Sequence, residues 1–406
     1  MKKNSIGKEK LPIFFPDATR GVLRTLDSVD LKNTKTPGIL VNTYHLMKDL
    51  GEEKIKKFSG IGPLMNWDGP IISDSGGFQI MTLAKREGSL GKITDRGVIF
   101  RTEEGQQTEV TPEDSIRFQM NLKTDLMVVL DDFTNPLSSY EEAKLSVERT
   151  IKWAKRSKKE FLKICQQKNL SEKYRPLLIG VVQGGDFLDL RKECTEKLVE
   201  IGFDGLGYGG WPMKEGKFNY EVAKVMAENS PKDYLLYGLG VGKPEDIVGC
   251  FKLGFTIFDC VLPTRDARHG RLYVYDAKTI EEIDITKEKF YHFENVEREL
   301  NATNLEPVST ACDCLLCKNY SKAYLRHLFK IKDSTAHRLA TIHNLRFYSI
   351  LMEKLKSQFP PSNLPYPYTC VLEHRYKPIS NQRHTRLLFF VPCHTVWFWS
   401  GLNLAC

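Results

Sequence analysis

Short, almost wholly apolar runs recur along the chain, and the stretches between them carry apolar residues at helical spacing. Seven runs stand out, at 38–42, 71–74, 126–131, 177–183, 205–210, 234–240 and 256–261. A run without polar alternation predicts a strand covered on both faces, and helices between such strands predict a parallel sheet. Thr111-Pro112-Glu113-Asp114 predicts a helix start, with a capping hydroxyl, an early proline and acids in the first turn. Lys243-Pro244-Glu245-Asp246 opens another helix, and Gly254 closes it.

Most of these runs end in polar or glycine residues: Asn42, Asp74, Asp131, Gln183, Gly209 with Gly210, Gly240 and Asp259. In a (β/α)₈ barrel the strand C-termini converge on the active site. The predicted fold is therefore α/β, a (β/α)₈ TIM barrel with an appended Cys₃His zinc-binding subdomain. Its eighth strand has no run of its own. A doubly wound open sheet is the alternative, but no G-x-G-x-x-G follows an early strand and no P-loop lysine is present. The expected division is a barrel core over 1–295, the zinc-binding subdomain with a closing helix over 296–356, and a tail over 357–406. Prolines 360, 361, 365 and 367 make the start of that tail a breaker-rich linker. The apolar, aromatic stretch from Leu387 onward is open between an added element, a partner-binding strand and a shifted reading frame.

Composition narrows the class. The chain has 406 residues and is 41% hydrophobic, enough for one large barrel or two ordinary domains. No apolar stretch reaches the roughly 18–20 residues of a membrane span. The N-terminal residues resemble neither a secretory signal nor a transit peptide. Outside one cluster the cysteines are scattered, which points to reducing cytosol and a cytoplasmic protein. Net charge is +8, a mild pointer to an anionic partner such as nucleic acid. Residues 151–175 hold nine Lys/Arg against two Glu, which reads first as a solvated helix face.

The cysteine cluster is Cys312, Cys314 and Cys317, with His343 in a later helical-looking segment. Three thiolates and an imidazole fill the tetrahedral shell of Zn²⁺, one ion per chain, and leave no position for a reactive water. Such a metal holds structure. The plainer alternative is three buried thiols and an unrelated histidine. Two aspartates carry candidate chemistry. Asp74 precedes Gly76 and Gly77, which permit close backbone approach to a ligand. Asp259 precedes Arg265 and Arg268, a spacing suited to phosphate. Paired carboxylates cleave glycosidic bonds, one as nucleophile and one handling protons. Taken alone, the aspartates also suit helix caps or ion pairs, and the arginines suit salt bridges.

Six ordered motifs settle the choice. Asn42-Thr-Tyr-His-Leu46, Asp74-Ser-Gly-Gly-Phe-Gln79, Val182-Gln-Gly-Gly185, Gly240-Val-Gly-Lys-Pro244, Phe258-Asp-Cys-Val-Leu-Pro-Thr-Arg265 and the cysteine cluster with His343 span roughly 38–355. In this order they resemble a bacterial-type tRNA-guanine transglycosylase. The resemblance implies exchange of guanine at the wobble position of a tRNA anticodon loop for a 7-deazaguanine, in queuosine biosynthesis. It implies Asp259 as nucleophile on ribose C1′ and Asp74 as general acid/base. Asp131, Gln183 and the Gly209 and Gly210 backbone would recognise the base, with Ser75 supporting the pocket. Phe78 and Leu239 would sandwich the ring, where the family usually has Tyr and Met. Lys243, Arg265 and Arg268 would contact the RNA backbone. A homodimer through Tyr320, Tyr324 and His327 is also implied.

Departures bear on the incoming base. Phe133 and Trp211-Pro212 stand where the family often has smaller residues, while Glu215 keeps its distance from Gly210. The favoured base is 7-aminomethyl-7-deazaguanine, with queuine the alternative. Two other readings compete. A non-catalytic, zinc-bearing tRNA-binding subunit should have lost its nucleophile, yet Asp259 is present. A metal-dependent hydrolase needs an open metal position, which four protein ligands deny.

Overall fold

The computed structural model describes residue 6 and residues 11–84, 91–101 and 107–359. The tail predicted over 357–406 lies outside these from residue 360 onward.

Eight parallel strands form one sheet: Ile13–Pro16, Ile39–Asn42, Ile71–Asp74, Leu126–Val128, Leu177–Val182, Gly205–Tyr208, Leu235–Gly238 and Phe255–Cys260. Each pairs with its neighbour in sequence, and the first pairs with the last, Phe15 opposite Asp259. The ring is completed between the first two strands by a bridge of Asp17 to Leu40. There the Ala18 N–H donates to the Leu40 carbonyl at 2.7 Å, and the Asn42 N–H to Thr19 at 3.1 Å. This is the (β/α)₈ barrel. The strand without a run of its own is Ile13–Pro16, only four residues long and bracketed by Pro12 and Pro16.

Strand side chains alternate in direction, so every second residue enters the barrel. Ile13, Phe15, Leu40, Ile72, Val128, Ile179, Val181, Tyr237 and Ile257 pack there as one buried cluster. Their neighbours Phe14, Leu206 and Phe258 pack outward, beneath the helices. The alternation fixes the next inward position as well. Two residues beyond Leu40, Ile72, Val181, Tyr237 and Ile257 stand Asn42, Asp74, Gln183, Leu239 and Asp259. The same periodicity that builds the core therefore aims these side chains into the mouth.

The predicted helix starts hold. Thr111 caps Pro112–Leu122 in a reciprocal box with Asp114. Pro244–Lys252 begins at its proline and is followed by Gly254 at φ +95°. The basic segment at 151–175 falls mostly on the helix Tyr140–Gln167, whose Trp153, Ala154 and Phe161 are buried. Beyond the barrel, Arg271–Tyr275 and Tyr291–Asn295 form an antiparallel hairpin. The short helices Leu315–Asn319 and Lys322–Lys330 follow, then the long helix Ser334–Gln358. That long helix grips the segments that follow the last two barrel strands. Tyr348 donates to the Gly242 carbonyl at 2.5 Å, and Asn344 to the carbonyls of Pro263 and Arg271, each at 3.0 Å. Among the described residues no helix is long and apolar enough to cross a membrane.

Candidate active site

The strand tips surround a cavity of about 510 Å³. Asp74, Ser75, Phe78, Asp131, Gly209, Gly210, Leu239, Lys243, Asp259 and Arg265 all line it. Gln183 is fully buried beside it, and Arg268 lies one helical turn behind Arg265. A larger hollow of about 620 Å³ opens around Gly69, Asp125 and Pro176, which precede strands at the barrel's other end. It is lined in part by Trp67, Met120 and Leu170 and does not gather the strand-tip carboxylates.

Asp259 ends its strand with one oxygen engaged. Oδ1 accepts from the Tyr237 hydroxyl at 2.7 Å and from the Gly240 N–H at 2.9 Å. Oδ2 has no partner among the described residues. Burial pushes this carboxyl up to about 7; the Gly240 and Tyr237 donors oppose the rise, while the Asp74 and Asp17 charges add to it. Across the mouth, Asp74 Oδ2 accepts from Asn42 Nδ2 at 2.9 Å, and the same amide group reaches Gln79 at 3.0 Å. Burial raises Asp74 to about 6, against the N–H of Gly76, the Asn42 amide and the N–H of Ser75. A third carboxylate, Asp131, accepts from Gln183 Nε2 at 2.5 Å. It is pushed up to about 7 by burial first; the Gln183 bond opposes this, and the Asp74 and Asp132 charges contribute. Gln183 is itself oriented by the Thr134 N–H, which donates to its Oε1 at 3.1 Å. The amide and the carboxylate thus place a donor and an acceptor group side by side at the cavity wall.

Two flat faces complete the cavity. Phe78 is 51% exposed and meets Phe133 edge to face, with centroids 5.1 Å apart. Leu239 follows the seventh strand, and Gly207 lies against it; a Cβ there would meet Leu239 Cδ1 at 2.8 Å. Trp211 and Pro212 also line the cavity. Glu215 does not: it stands exposed in the turn between Met213–Lys214 and Lys217–Phe218, at φ +49°. On the rim, burial holds the Arg268 guanidinium below its ordinary range; Arg24 and Arg265 add to this, and Asp17 opposes it. Three arginines gathered this closely attract an anion.

The sequence reading assigned no role to Asn42, Tyr237 or Arg191. The first two were detectable by strand parity. Arg191 was not, because it lies on a helix, and which strand ends it reaches depends on how that helix packs against the sheet.

Cys312, Cys314, Cys317 and His343 also converge, with one ligand atom from each within 4.8 Å of all the others. His343 Nδ1 stands 3.2 Å from Cys317 Sγ and 3.7 Å from Cys314 Sγ, while Nε2 is bound to the Tyr273 carbonyl at 2.8 Å. A tetrahedral ion with bonds of about 2.0–2.3 Å separates its ligand atoms by roughly 3.5–3.8 Å. The four residues can therefore hold a metal ion.

Comparison with known sequences agrees. The family described as "Queuine tRNA-ribosyltransferase" matches residues 2–365. A queuine tRNA-ribosyltransferase of Caldanaerobacter subterraneus subsp. tengcongensis is 40% identical over 352 residues, 86% of each chain. One from Thermoanaerobacter pseudethanolicus is 39% identical over 85% of each chain. One from Shewanella frigidimarina is 36% identical over 88% of this chain and 89% of its own. The chain belongs to the queuine tRNA-ribosyltransferase family.

Proposed function

We propose that this chain exchanges guanine at the wobble position of tRNA for a 7-deazaguanine through a covalent ribosyl ester on Asp259. The observation that carries the reading is the meeting of Asp259 and Asp74 across one cavity whose remaining walls suit a purine. The nucleotide must leave its stack for C1′ to be reached. The free Oδ2 of Asp259 then bonds to C1′ as the bond from C1′ to the guanine nitrogen breaks, and the departing base keeps the electron pair. Asp74 supplies the proton that neutralises it. In the second half Asp74 takes a proton from the incoming base, whose nitrogen attacks C1′ and releases Asp259. Two carboxylates also stabilise the oxocarbenium character of each transition state. Asp131, Gln183, Gly209 and Gly210 hold the polar edge of the base; Phe78 and Leu239 hold its faces. Lys243, Arg265 and Arg268 take the phosphates.

The favoured incoming base is 7-aminomethyl-7-deazaguanine. Phe133 and Trp211 both line the cavity, and rings turned inward would narrow it toward a small substituent. The Trp211 carbonyl would accept from the ammonium. Zinc held by Cys312, Cys314, Cys317 and His343 would brace the long helix and take no part in the chemistry. A homodimer would use Tyr320 and Tyr324, whose half-exposed rings stack 5.2 Å apart, with His327 exposed beside them. Sedimentation at micromolar concentration tests this; a monomer refutes it. Incorporation of labelled guanine into tRNA tests the reaction itself, and its absence in well-folded protein sinks the proposal.

A further inference from the structure

Arg191 is 0% exposed and has no carboxylate partner among the described residues. It lies on the helix Leu188–Ile201. Burial lowers its pKa, with Tyr208, Cys194 and Asp186 opposing. A buried cation costs several kcal/mol unless its donors are matched. Here three of its five N–H donors are matched, all of them by backbone. Nη1 donates to the Val182 carbonyl at 2.6 Å and to Gly209 at 2.8 Å, and Nε donates to Gly185 at 2.8 Å. The guanidinium also stands 5.0 Å from the centroid of the Tyr208 ring. A side chain of this cost is out of place as simple filling.

The three carbonyls are not scattered. Val182 and Gly185 flank Gln183, and Gly209 precedes Gly210. One rigid fork therefore ties together the two strand ends that carry the base-recognition groups. The fit is close: a Cβ on Gly210 would lie 3.2 Å from Arg191 Nη2 and 3.2 Å from Gln183 Oε1. The bond to Gly209 has an electronic consequence too. The Gly209 C=O and the Gly210 N–H belong to one peptide unit. A charge-assisted bond at the oxygen polarises that unit and makes its N–H a stronger donor. The Gly210 N–H has no partner among the described residues, and Gly210 lines the cavity.

We propose that Arg191 is a positioning residue for base recognition. It fixes the spacing between Gln183 and the Gly209-Gly210 backbone, and it sharpens the Gly210 N–H toward an acceptor on the base's polar edge. It does not touch the base. The inference rests on the exchange reading above, so the test separates the two.

Arg191→Lys and Arg191→Met are made in the full-length, metal-loaded chain, beside wild type. Lysine keeps the charge without the fork, and methionine keeps the bulk without donors. KM for guanine in exchange should rise about tenfold or more in Arg191→Lys, while KM for tRNA stays within about twofold. A merely structural role would lower thermal stability and the yield of active enzyme without moving KM for guanine. A folded Arg191→Lys with the wild-type KM for guanine overturns the proposal. Should Arg191→Met fail to fold, the lysine variant decides. Loss of exchange in wild type would count against the exchange reading instead. Calorimetric Kd for guanine then decides the Arg191 claim: weakening of about tenfold supports it, and an unchanged Kd, or no guanine binding by wild type, refutes it.

Discussion

The barrel mouth and the Cys₃His cluster both gather polar groups in protein surroundings, yet they are built on opposite terms. In the cluster every ligand atom faces the others, and His343 is bound from behind by the Tyr273 carbonyl. It is a closed set, suited to holding an ion and two segments of chain. In the mouth three carboxylates share a cavity, raised by burial to about 6 and 7, and Oδ2 of Asp259 is without a partner among the described residues. That arrangement is unfavourable for the empty protein and useful to a substrate that supplies charge and donors. Stability is concentrated where the polar set is complete, and reactivity where it is left incomplete.

The largest test of this contrast is Asp259→Ala. Exchange should fall on the order of 10⁴-fold or more, with tRNA affinity largely kept, since a missing nucleophile is not replaced by positioning. Single-turnover exchange and a filter-binding Kd measure the two quantities; near-normal turnover refutes the nucleophile. Cys314→Ala or chelation should do the reverse. It should lower Tm by ten degrees or more, in the range of about several kcal/mol, while protein that remains folded keeps its kcat. Metal analysis finding no zinc in stable protein would contradict this. Because the long helix grips Gly242, a slow loss of kcat should follow unfolding and not precede it.

A pH experiment sharpens the comparison further. Asp259 is raised in the folded chain, so more protons are bound folded than unfolded between about pH 4 and 7. Its contribution to stability is therefore full below the unfolded pKa and is lost as pH rises through the folded value. Asp259→Asn should stabilise the fold at pH 8 by on the order of 2 kcal/mol, seen as a higher Tm, with the gain disappearing near pH 4. Thermal melts at both pH values check it; equal shifts at both would show that the burial is not felt as charge. For the same reason kcat/KM of wild type should fall as pH drops below about 7, where the nucleophile protonates. The smallest effect concerns the incoming base. Competition between the aminomethyl base and queuine should favour the former by a few-fold, and Phe133→Ala should reduce that preference.

Much of this was legible in the residues. The apolar runs ended in the groups that now line the cavity, and Asp74, Asp131, Leu239 and Asp259 came from that pattern or from the motif resemblance. The strand Ile13–Pro16 was missed because four residues between prolines carry little pattern, and its assignment depends on pairing with Phe255–Cys260, distant in sequence. Glu215 kept its spacing from Gly210 yet stands outside the cavity, since spacing does not say which way a hairpin turn points.

What the sequence by itself determined was seven of the eight strands, the parity that sends Asp74 and Asp259 inward, and the metal-binding quartet, because these depend on local periodicity and side-chain chemistry. What only the tertiary structure decided was the partner of each group: Tyr237 on Asp259, Asn42 on Asp74, and Arg191 across two strand ends. Those contacts join separate elements of the barrel, and their strength depends on burial and angle, which exist only once the barrel has closed.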